Sequence, residues 1–213
     1  MRSGSNIIET INRAREDTGF LSLEETADLA TNGNIVFDPF STLISRDAVI
    51  GMRNIFHPNT RLVCHQGAVL KIGSGNILYG NTVIEASTNG VIIGDENQFG
   101  DGIVCLKSNT ADAHIEVGSN GRYVGVLNLY GRMLLGSGSQ ILGTITAYDC
   151  SLGAGHPHAH PVPDERGAVL KGSGTARRIQ LAKGQVIEGW GTFSPKDVAN
   201  QSSFHPAAAP PCE

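Results

Sequence analysis

Apolar residues recur in this chain at every sixth position, and no other property of the sequence restricts its fold so strongly. Counting from Ile44 gives Ile50, Phe56 and Leu62; from Ile72, Leu78 and Ile84; from Ile93, Phe99 and Cys105. From Val117 the count runs on through Tyr123, Leu129, Leu135, Ile141 and Ala147. A helix repeats near 3.6 residues and a strand near 2, so a period of six describes short strands joined by sharp corners, one inward side chain per face. Three such faces close a triangular coil. Val117 to Leu135 is one full turn, whereas Ile93 to Val117 is one step longer, and the polar KSNTADAH (107–114) is the segment expected to bulge outward. The corners recur as IGSGN (72–76), IGDEN (93–97), VGSNG (117–121) and LGSGS (135–139), each a hexad residue followed by glycine and turn formers. The 27 glycines and the 6% aromatic content fit a turn-rich coil with an aliphatic filling.

The ends differ from the middle. Ile7, Ile8 and Ile11 have helical spacing, and SLEETADLATNG (22–33) begins with a capping pair, Ser22 and Glu25, and ends on Gly33. Two short helices are expected there, covering the open end of the coil. After Gly155 the period is lost. GAVLK at 167–171 repeats 67–71 and opens an apolar stretch expected to fold back on the coil or on a neighbour, and the end is rich in Pro and Ala. The expected division is a helical cap over 1–39, an all-β coil over 40–153 and a C-terminal extension over 154–213.

Bulk properties narrow the function. The net charge of -4, with no run of Lys or Arg, argues against nucleic acid as a partner. No apolar run approaches the roughly 18 to 20 residues that span a bilayer, and the N-terminus is too polar for a signal peptide, so a cytoplasmic protein without membrane contact is expected. The four cysteines are widely spaced and form no zinc-knuckle pattern. Reduced thiols are expected.

Over roughly 40–150 the repeats resemble the hexapeptide-repeat superfamily, and that resemblance implies a left-handed parallel β-helix, a homotrimer, and sites in clefts between neighbouring coils. VIIGDENQFGDGIVCLKS (91–108) resembles the stretch in which γ-class carbonic anhydrases carry two zinc histidines. Those positions fall here on Asp101 and Leu106, with the upstream one near Glu85, and none is histidine. The layout of residues 55–85 is similar to the dynactin small-subunit branch, in which the coil is a structural and interaction element. A third branch comprises acyltransferases that use acyl-CoA or an acyl carrier protein. Their chemistry requires a histidine general base beside a hydroxyl or amine, together with donors for the acyl oxyanion.

The histidines supply the candidates. His114 ends the expected bulge, where a cleft can form against a rigid coil; the alternative is an exposed polar loop residue. His57 and His65 read as outward-facing. In GAGHPHAHPVP (153–163) an extended course would place His156, His158 and His160 on one side, as ligands for a divalent transition metal such as zinc, with Asp164 and Glu165 in support. Pro157 and Pro161 favour a polyproline course that splays the rings, which leaves a solvated linker as the other reading. Three functions follow: an acyl transfer to a small-molecule acceptor with His158 first and His114 second as base; a metal-dependent lyase or hydrolase on the histidine triplet; and a non-catalytic trimeric scaffold.

Overall fold

The structure, a computed structural model, describes residues 6–87 and 89–205. The Pro- and Ala-rich tail from 206, with Cys212, lies outside the described residues.

Inward residues stack in three parallel ladders, and each ladder is one side of a β-helix-like coil. On the first face Val36, Phe56, Leu78, Phe99, Tyr123, Ile141, Leu170 and Ile187 are successive partners. On the second the column is Ile44, Leu62, Ile84, Leu106, Leu129, Ala147 and Ala176. On the third it is Ile50, Ile72, Ile93, Val117, Leu135, Leu152 and Leu181. All but Val36 and Ile50 in these columns are buried. Burying each large aliphatic contributes about 1.5–3 kcal/mol, so the six-residue pattern is the core itself.

One residue of that pattern is displaced. Leu106, not Cys105, is the inward partner of Ile84 and Leu129, while Cys105 pairs with Val83 and Asn128. The cause is a register shift between Gly100 and Ile103, where one extra residue is absorbed at the corner before the strand enters the second face. Asp101 sits in this bulge with φ 56. The remainder of the inserted step forms an outward loop over 109–113, shorter than the expected 107–114 because Lys107 and Ser108 end one strand and His114, paired with Arg132, begins the next.

The coil is longer than expected at both ends. Ile35–Val36 already pairs with Ile55–Phe56, so the first strand lies inside the region assigned to the cap. At the other end Val169–Arg177, Gln180–Leu181 and Gln185–Thr192 are parallel strands in register with the preceding turns, not strands folded back on it. The count was lost because residues 153–168 make an excursion from one corner; beyond it Leu170 and Ala176, and then Leu181, Ile187 and Phe193, again stand six apart and buried. The GAVLK echo is not a structural one, since Leu70 lies on the third face and Leu170 on the first.

Two corner devices hold the turns together. Along one corner buried Asn34, Asn54, Asn76 and Asn97 form a ladder in which each side-chain Oδ1 accepts the backbone N–H of the next asparagine, at 2.8–2.9 Å, and Asn97 passes its Oδ1 to Gly121 N–H at 2.7 Å. At another, Gly125, Gly143 and Gly172 take φ near +120°, and a Cβ on Gly143 would lie 2.0 Å from the Gly172 carbonyl oxygen. Only glycine permits both the dihedral and that approach.

The helices form as expected. α1 (Ile7–Asp17) is followed by α2 (Leu23–Asp28), whose capping box between Ser22 and Glu25 is complete, and the segment ends on Gly33 with φ 72. Buried Arg15 donates to the carbonyls of Leu21, Pro39 and Thr42 and to the Thr26 hydroxyl, joining α1 and α2 to the first turn. At the far end Val198–Asn200 runs antiparallel to Gln185–Thr192 and leads the chain back across the first face.

Candidate functional site

The outward side of the first face becomes a cleft near the end of the coil. Arg122 and Gln140 each precede an inward residue, Tyr123 and Ile141, so both point outward, and the register makes them direct neighbours. Val169 follows on the next strand. The excursion at 153–168 brings His158 and Arg166 to one wall, and the end of the described chain brings Phe204 and His205 to the other. The cleft measures about 310 Å³.

Its two walls are tied to each other and to the floor. Asp164 accepts from both the backbone N–H and the hydroxyl of Ser202 at 2.8 Å, which holds its carboxyl below the usual range. Gln201 donates to the Gly167 carbonyl at 2.8 Å. The base of the excursion is closed by His156 N–H to Glu165 C=O (2.8 Å) and Gly167 N–H to His156 C=O (3.0 Å). Arg166 donates through Nε to the His160 carbonyl at 2.7 Å, and one of its terminal nitrogens lies 3.3 Å from His205 Nε2.

Charge in the cleft is one-sided. Among the described residues Lys171 is the cation with a carboxylate partner there, 2.9 Å from Glu188 and 4.2 Å above the Phe204 ring. Partial burial, followed by the positive charges of Arg122 and Arg166, pushes the His158 pKa down, so its neutral form is favoured at pH 7.

The triplet divides. A turn in which His160 N–H donates to the Pro157 carbonyl (2.9 Å) replaces both the extended and the polyproline course. It sets His156 and His160 face to face, centroids 4.1 Å apart and planes 8° from parallel, and it sends His158 to the cleft. Glu165, not His158, completes a cluster of three donors, all within 4.8 Å of one another, with its carboxylate 3.8 Å from His160 Nε2 and 4.0 Å from His156 Nε2. Four-coordinate zinc with bonds near 2.1 Å sets its donors roughly 3.4 Å apart. Zinc would therefore have to draw the trio together and turn the stacked rings toward a common point. Nδ1 of His160 lies 3.2 Å from the Val162 carbonyl and 3.3 Å from the Val162 N–H; the tautomer that donates to the carbonyl leaves Nε2 bare for a ligand role, whereas the one that accepts from the N–H carries its proton on Nε2.

His114 stands elsewhere. It lines an open cleft of about 730 Å³ with Arg132, Asp149 and Arg178, its Nδ1 3.2 Å from the Asn89 carbonyl, and does not meet the triplet. His57 stacks on Tyr79 and meets the Phe37 ring at a tilt, and His65 Nε2 lies 3.1 Å from Glu85, which also pairs with Lys107 at 3.1 Å. Leu106 is fully buried, so the three positions aligned with zinc histidines form no donor set. Burial raises the thiol pKa values of Cys64, Cys105 and Cys150, which makes them poor nucleophiles.

Fold and site together define an all-β protein of parallel, β-helix-like turns carrying a cationic cleft closed by an inserted loop and the end of the chain. Compared with protein-family models and with curated proteins, the chain matches none. No helix among the described residues is long and apolar enough to cross a membrane.

Proposed function

We propose that this chain is a left-handed hexapeptide-repeat β-helix, acting as a cytoplasmic homotrimer, and that it transfers an acyl group to a small hydroxyl or amine acceptor with His158 as general base. One observation carries the reading: His158 lines a cleft together with Arg122 and Arg166, where burial and then those two charges lower its pKa. The volume suits a small-molecule site. His158 takes the acceptor's proton as the acceptor oxygen or nitrogen bonds to the carbonyl carbon of an acyl thioester, either acyl-CoA or an acyl carrier protein. The carbonyl oxygen gains negative charge, which the guanidinium groups stabilise. When the carbon–sulfur bond breaks, the thiolate leaves and recovers the proton from His158. The test is thiol release from a panel of acyl thioesters and small acceptors. His158→Ala should reduce the rate about 10²- to 10⁴-fold, and absence of release from every thioester rejects the reading.

A second reading rests on His156, His160 and Glu165: a divalent metal such as zinc held by the trio, supporting lyase or hydrolase chemistry. Zinc titration separates it from the first. His156→Ala should abolish binding while His158→Ala should not, and equal zinc uptake by the His156→Ala variant rejects the trio.

A further inference from the structure

We propose that the cleft between the first face, the 153–168 excursion and the chain's end is a binding site for a small organic oxyanion, a carboxylate or phosphate carried on a short apolar body. The proposal deepens the preceding one, resting on the cleft as the working site but not on acyl transfer. The Arg122 guanidinium makes no hydrogen bond or ion pair among the described residues, although the residue is only partly exposed. Its strand neighbour Gln140 is 7% exposed, and its side-chain amide makes no hydrogen bond among the described residues. Neither group is sealed from solvent, since among the described residues the buried side-chain polar atom left without a partner is Thr42 Oγ1; the guanidinium and the amide open side by side into the cleft, where an acceptor that arrives with the ligand can take their hydrogen bonds.

The other groups define what that acceptor is. Arg166 is fixed through Nε and has one terminal nitrogen 3.3 Å from His205 Nε2, which leaves the other terminal nitrogen for the cleft that Arg122 also lines. Lys171 is already neutralised by Glu188 and is not needed to hold the anion. Two guanidinium groups and an amide are donors that match the oxygens of a carboxylate or phosphate, and guanidinium binds either in a forked geometry. Leu142, Val169, Val186 and Phe204 make the remaining surface apolar. A bare inorganic ion would leave that surface wet, whereas an aryl or alkyl group covers it.

The experiment is calorimetric titration of the full chain with benzoate, phenyl phosphate, inorganic phosphate and benzyl alcohol, with NMR titration of His158 alongside. At least one of benzoate and phenyl phosphate should bind, and more tightly than inorganic phosphate or benzyl alcohol; their relative affinity identifies the oxyanion. Arg122→Gln should weaken binding at least tenfold, and Gln140→Leu several-fold, with thermal midpoints confirming that both variants fold. Saturating anion should move the His158 midpoint upward, because a negative charge beside the imidazolium favours it. No binding of either organic anion, equal affinity for inorganic phosphate, or unchanged affinity in Arg122→Gln overturns the proposal. Anion binding without thiol release leaves this site standing and rejects the transferase; thiol release without anion binding does the reverse.

Discussion

Asn97 donates both its backbone N–H and its side-chain Nδ2 to a single atom, Oδ1 of Asn76, at 2.9 and 3.0 Å. Asn76 makes the same pair of bonds to Asn54, and each of the three sends its Nδ2 to a carbonyl, that of Gly73, Gly94 or Gly118. The corner is a continuous polar column inside the coil, with side chain and backbone satisfied together. Replacing Asn76 by Leu leaves the buried Asn97 backbone N–H without its acceptor and the part-buried Gly94 carbonyl without its donor. We expect a loss of about 3 kcal/mol or more, read as a lowered urea midpoint.

The displaced register makes Leu106 and Cys105 unequal. Leu106→Ala should cost about 2–5 kcal/mol, the range for truncating a fully buried leucine, because Leu106 fills the coil between Ile84 and Leu129. Cys105→Ala should cost about 1 kcal/mol or less, as for a residue at the margin of the core. Chemical denaturation of the two variants checks the order, and a larger loss at Cys105 would contradict the register.

Positive φ alone and positive φ with a close neighbour can be separated by two glycines. Gly67 has φ +80 with nothing within 4 Å of an added Cβ, whereas a Cβ on Gly143 meets the Gly172 oxygen at 2.0 Å. Gly67→Ala should cost about 1 kcal/mol. Gly143→Ala should cost several times more, since the turns must also separate there, and thermal unfolding midpoints give the comparison.

The titration of His158 has a defined sign. Its folded pKa lies below the ordinary value near 6.5, through burial first and then Arg122 and Arg166. Above that ordinary value both folded and unfolded forms are neutral and the residue contributes no pH dependence. As pH falls below it the unfolded chain takes up the proton first, so stability declines down to the folded pKa. NMR titration should place the midpoint below that of an exposed histidine, and Arg122→Gln should raise it.

The repeat was legible wherever each turn kept its count, because one inward side chain per face is a strict geometric demand. The count failed at residues 101–102, where an extra residue was absorbed silently and moved the inward position from Cys105 to Leu106. It failed again at 153–168, where the loop hid Leu170, Ala176, Leu181, Ile187 and Phe193, although these stand six apart in two short runs. The capping box at Ser22 and Glu25 was readable because it is local. The site was only half readable. Alternation marked the histidines as a group, but a turn at Pro157–His160 decides which of them meet, and such a turn depends on contacts made by Glu165 and Arg166. Arg122 and Gln140 carried a signal that counting could have found, since each immediately precedes an inward residue on the same face. Phe204 and His205 carried none, as only the return of the chain after Val198–Asn200 brings them to the cleft.

The Asp164–Ser202 and Gly167–Gln201 bonds also set an order of events. During synthesis the coil gains a turn each time the chain for three further faces emerges, so most of it can form while the chain is still growing. The cleft has no second wall until residue 205 has emerged, so it is completed only after the coil that forms its floor.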